Sequence, residues 1–139
     1  MAITSALSTS FKRQLLSGSA HTPSHTYKMA LFQSMALLDA ATTVYSASSA
    51  EVTGSGYTAG GTVLQGIVID QTGTTAYIDW TTDPSWASAT FTARGCQIWN
   101  TSGSASVATF DFGQDYTATN GTFTVQLPAA GATAVIRIA

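Results

Sequence analysis

The chain is short of charge. Lys, Arg, Asp and Glu make up 9% of its 139 residues, against roughly 25% in an ordinary soluble domain. The five basic residues, Lys12, Arg13, Lys28, Arg94 and Arg137, never run longer than two, and the formal net charge is −2. That balance supplies no electrostatic footprint for nucleic acid. A single cysteine, Cys96, excludes an intramolecular disulfide and a four-cysteine metal site. No apolar run approaches the ~20 residues of a membrane-spanning helix. Residues 1–18 also lack the basic-then-apolar pattern of a secretory signal. Neither nucleic acid nor membrane is expected as a partner.

Hydroxyl groups stand where charge would be, with 23 Thr and 16 Ser. Apolar residues are 45% of the chain, which is a folding composition rather than a disordered one. A chain of this length fits one domain and buries about two thirds of its unfolded surface.

Ile3, Leu7, Phe11 and Leu15 recur every four positions and predict a short amphipathic helix over 3–16. Gly18 is placed to end it. The loop "SGSAHTPSH" follows, so residues 1–25 read as an N-terminal arm of helix plus loop. A helix this short must dock on its own domain or on a neighbour.

From Tyr27 the period changes to two, and residues 26–139 read as a β domain. "YKMALF" is read as a strand, although its spacing also permits a helix. "VLQGIVID" (63–70) turns through "QTG" and Thr74 into "TAYIDWT" (75–81). "DPS" (83–85) precedes "WASATFTARGCQIWN" (86–100), with a bulge expected at Gly95. "TSGS" (101–104) turns into "SVATFDF" (106–112), and Asn120-Gly121 predicts a hairpin into "TFTVQL" (122–127). "GATAVIRIA" closes the chain. About eight short strands between frequent turns predict an all-β, antiparallel β-sandwich, with a jelly roll as the favoured topology.

"EVTGSGYTAGGTV" (51–63) is rich in glycine, but it is not a phosphate cradle. A dinucleotide site needs a buried strand before the glycines and a helix after them. Here a polar stretch precedes them and a strand follows. The spacing matches neither G-x-G-x-x-G nor a P-loop. A surface connection is expected, its glycines supplying positive φ and close backbone approach. Tyr57 in its middle makes it a candidate docking loop.

No other constellation reads as catalytic. His21 and His25 are four apart, but Pro23 between them opposes a shared helical face, and no third ligand is near. Cys96 reads as a small buried hydrophobe. Asp79 and Asp111 have the residue type of paired glycosidase carboxylates, yet isolated solvent-facing aspartates are the commoner case. Trp80, Trp86 and Trp99 would suit sugar stacking, but Trp80 shares a face with Ile78 and Ala76, which favours core. No metal, cofactor or catalytic residue is expected.

Read together, "SALSTSFKRQLLSG" (5–18), "YKMALFQS" (27–34), "EVTGSGYTAGGTVL" (51–64), "DPSWASATFTARGCQIWN" (83–100) and "FDFGQDYTATNGTFTVQLPAAGATAVIRIA" (110–139) resemble the head decoration, or cementing, proteins of tailed bacteriophages. The likeness spans nearly the whole chain. It implies a noncatalytic virion protein on the outer capsid surface, made in the bacterial host cytoplasm. The implied partners are the phage major capsid protein and the chain itself, as a homo-oligomer with a dimer favoured. Candidate contacts with capsid or sister subunit are Ile3, Leu7, Phe11, Lys12, Arg13, Leu15 and Tyr57. The other readings are a carbohydrate- or receptor-binding module of a tail or fibre, which needs exposed Trp86 and Trp99, and a small cytosolic hydrolase, which needs one of the histidines held in a pocket with an acid.

Overall fold

The computed structural model describes residues 2–18, 21–48 and 50–138. Their order is β1 (Ala6–Leu7), α1 (Thr9–Ser17), β2 (Tyr27–Phe32), β3 (Thr62–Val63), β4 (Gln65–Thr72), β5 (Thr75–Thr82), β6 (Ser85–Asn100), β7 (Ala105–Thr124) and β8 (Ile136–Ile138). One sheet has the order β1-β7-β6-β2-β3 and the other β4-β5-β8. Every pairing between these strands is antiparallel. The all-β sandwich is therefore present. A jelly roll is built from two Greek keys. Here β2–β3, β4–β5 and β6–β7 lie side by side, so the antiparallel sandwich is shown and the jelly-roll connection pattern is not.

The main core lies between the sheets. Tyr27, Met29 and Leu31 of β2, Ile98 of β6 and Val107 of β7 share it with Ile78, Trp80 and Ile136 of the smaller sheet. The Tyr27 and Trp80 rings meet across the gap at 5.6 Å. On the other face of β2, Ala30 and Phe32 join Ile3, Ala36, Leu38 and Trp99 in a second cluster. A strand buried on both faces has no polar side to show. That is why "YKMALF" lacks clean alternation.

The helix predicted over 3–16 begins later. Ala6 and Leu7 pair with Thr109 and Ala108 of β7, and Ile3 bridges Leu38. The buried Ser8 hydroxyl is bound to that of Ser106 at 2.7 Å. Only from Thr9 does the chain coil, ending at Gly18 with φ 76° and its N–H on the Gln14 and Leu15 carbonyls. Ile3, Leu7, Phe11 and Leu15 are therefore not one helical stripe. Extended pairing, of Ile3 with Leu38 and of Leu7 with β7, outcompetes helix there, because it satisfies backbone groups that a frayed helical turn leaves open.

Strands β6 and β7 form one long hairpin whose turn is the predicted "TSGS". The ladder is irregular at Gly95, as expected: Ala93 opposes Tyr116, whereas Gly95 opposes Asp111. The hairpin predicted at Asn120-Gly121 is absent. Asn120 does take φ 51°, but it lies across from Thr90, in the register shift between the Ala89–Gly121 and Phe91–Ala118 pairs of a continuing strand. The left-handed preference of Asn is taken up by a bulge rather than a turn.

Candidate functional site

The glycine-rich segment is held by a buried carboxylate. Glu51 accepts hydrogen bonds from the Tyr45 hydroxyl at 2.7 Å, the Tyr57 hydroxyl at 2.6 Å and the Gly60 N–H at 2.7 Å. Burial and the Glu51 carboxylate both push the two phenols above their ordinary range. The Tyr57 oxygen also accepts the Leu31 N–H of β2 at 3.0 Å. Tyr45 stacks on Trp99 at 4.3 Å, and the Trp99 indole N–H donates to the Gly60 carbonyl at 3.1 Å. A phosphate brought to this loop would meet an anion already seated on the Gly60 N–H. The segment is a clamp on the sheet, not a cradle.

Its glycines are required. Gly61 has φ 85°, and a Cβ there would lie 1.8 Å from the Met29 carbonyl oxygen. At Gly54, φ is 151° and a Cβ would lie 2.3 Å from the Thr90 oxygen. The expected positive φ and close approach are both found. Tyr57, expected as a docking side chain, is instead turned inward against Phe91, with ring centroids 5.8 Å apart. Glu51 and Tyr45 are the residues that sequence reading passed over. Their only signal was a lone acid and a lone phenol flanking the glycines.

The histidines converge as well. The amide nitrogen of Asn100 donates to Nδ1 of His21 at 3.2 Å and Nδ1 of His25 at 2.9 Å. Its Oδ1 accepts the Ser102 N–H, which fixes the amide's orientation. The His21 Nε2 is left to donate to Gln14 Oε1 at 2.7 Å. Burial, and then the neighbouring His25, lower the His21 pKa. The pair ties its loop to the end of β6, and among the described residues no group of three metal-ligating side chains exists.

The candidate contacts divide. Phe11 is 0% exposed, and Ile3 is buried in the second cluster. Leu7 and Leu15 pack partly buried on the main core. Ile3 and Phe11 are therefore already used within the chain, which corrects their assignment as partner contacts. Lys12 and Arg13 remain exposed. Beside them Leu16 is 91% exposed, although no apolar stripe singled it out.

The carboxylates differ from expectation. Asp111 is bound by the Gly113 N–H at 2.9 Å and by Arg94 at 3.1 Å, and these contacts hold its pKa low. Asp79 lies on the face of β5 opposite Ile78 and Trp80, yet it is only 2% exposed. Burial raises its pKa, and the charge of Asp83 adds to the rise. Cys96 is buried, which pushes its thiol up to about 12. All three tryptophans are buried, so none presents a sugar-stacking face.

Two larger concavities remain. One of about 530 Å³ lies among Leu7, Cys96, Phe110, Leu127 and Arg137. The other, about 600 Å³, follows β7 from Phe112 and Tyr116 to its end at Thr124 and continues past it to Val125. Along that stretch β7 pairs with β6 on one side, while β1 covers the other side only at Ala108 and Thr109. The outer edge of residues 113–122 has no strand beside it among the described residues. No described helix is long and apolar enough to cross a membrane. No family model, curated protein or solved structure matches this chain.

Proposed function

We propose that this chain is a noncatalytic virion protein of a tailed bacteriophage. It decorates the outer capsid surface and cements neighbouring major capsid protein subunits against the pressure of packaged DNA. The supporting observation is the open outer edge of β7 over residues 113–122, which carries one charged residue, Asp115. Sandwich proteins that live alone guard such edges with charge, proline or a covering element. An unpaired, hydroxyl-rich edge recruits another strand, and antiparallel pairing with a second copy gives the expected dimer.

Each copy then presents Lys12, Arg13 and Leu16 of α1 to the shell, with Leu15 partly available. Exposed ion pairs contribute only about 0–1 kcal/mol each. Burying Leu16 contributes more, about 1.5–3 kcal/mol. Two-point attachment multiplies modest contacts. The buried tryptophans favour this reading over carbohydrate recognition by a tail or fibre.

The test is electron microscopy of particles with and without the protein, before and after heating. Density on the head, and earlier rupture of particles that lack it, are the expected results. Density confined to the tail would overturn the proposal. Thr119→Lys, on the open edge, is expected to give monomers in sedimentation while the wild type sediments as a dimer.

A further inference from the structure

Asp79 carries a buried carboxylate oxygen with no hydrogen-bond donor on it among the described residues. Oδ1 accepts the Trp80 N–H at 2.8 Å, whereas Oδ2 is buried without a hydrogen-bond partner among the described residues. Asp79 lines a cavity of about 240 Å³ with Val68, Trp80, Thr81, Asp83 and the segment 127–130. Asp83 is the second carboxylate on that cavity, and its Oδ1 accepts the Leu127 N–H at 2.9 Å. An unpaired buried carboxylate is costly, and a like charge beside it raises the cost. A positive species placed there would remove both penalties.

We propose that the cavity between β5 and segment 127–130 binds a calcium ion through Asp79 Oδ2 and the carboxylate of Asp83. The ionisable groups on the space are the two carboxylates, and Thr81, Pro128, Ala129 and Ala130 line it beside them. Oxygen donors select hard cations, and calcium accepts carboxylates, carbonyls and waters in flexible geometry. The volume admits the ion with several waters, each needing about 30 Å³. Binding pins segment 127–130 to β5 and so steadies the approach to β8. The site stands whether or not the protein decorates a capsid.

Trp80 borders the cavity and is a built-in sensitiser for terbium, a luminescent calcium substitute. Excitation of tryptophan in the purified full chain with terbium is expected to give saturable sensitised emission that excess calcium displaces. Asp79→Asn and Asp83→Asn are each expected to lose that emission, and calcium is expected to raise the melting temperature of the wild type alone. Circular dichroism confirms that the variants are folded; should Asp79→Asn not fold, Asp83→Asn is read by itself. Emission that calcium does not displace, or that survives in folded Asp83→Asn, overturns the site. So does a wild-type melting temperature indifferent to calcium, which would leave a proton on Asp79 as the balancing charge.

Discussion

The hydroxyl of Tyr57 donates to the carboxylate of Glu51 at 2.6 Å while its oxygen accepts the N–H of Leu31 at 3.0 Å. One phenol thus joins the glycine-rich loop to β2. Tyr57→Phe keeps the ring but leaves the Leu31 N–H unpaired and Glu51 one donor short. A loss of about 1.5–3 kcal/mol is expected in urea unfolding. Glu51→Ala, which strands three donors at once, is expected to cost more than Tyr57→Phe.

Two glycines with similar backbone angles separate steric from conformational cost. Gly61 (φ 85°) has the Met29 carbonyl where a Cβ would go, whereas Gly103 (φ 74°) has open space there. Gly103→Ala is expected to cost about 1–2 kcal/mol, the strain of left-handed backbone. Gly61→Ala must also push β2 away and is expected to give little soluble protein. Comparable yields and unfolding midpoints would contradict the clamp.

Acid is expected to loosen the loop at 21–25. The folded state favours neutral His21, since its pKa lies below the ordinary 6.5 and Nδ1 accepts from Asn100. This contribution is present in full above 6.5 and is lost as pH falls through the lowered folded value. His21→Gln is expected to flatten the pH dependence of the melting temperature in that window.

Helix α1 separates folding from partner binding in two residues of one turn and a half. Phe11→Ala empties a fully buried site and is expected to cost about 3–5 kcal/mol. Leu16→Ala is expected to leave unfolding within about 0.5 kcal/mol of wild type yet reduce occupancy on purified particles. Normal occupancy of Leu16→Ala would remove α1 from the capsid interface.

The sequence by itself determined the β architecture, because period-two patterning and turn residues are local signals. It placed the 72–75 turn, the "TSGS" turn, the Gly18 stop, the bulge at Gly95 and the positive-φ glycines of the 51–63 loop. It also showed that nothing resembles a phosphate loop. Only the tertiary structure decided which residues were spent internally. Ile3 and Leu7 keep helical spacing, but their backbone went to Leu38 and β7, which no spacing reveals. Asn120-Gly121 is a hairpin signal until a strand opposite continues past it. Asp79 alternates outward as patterning requires and is buried only because other parts of the chain enclose that face. Glu51 gathers partners from positions 45, 57 and 60, and Asn100 gathers His21 and His25 from far along the chain. Spacing along the chain fixes what a residue's neighbours allow; which distant groups must satisfy a buried charge is settled only when the sheets close.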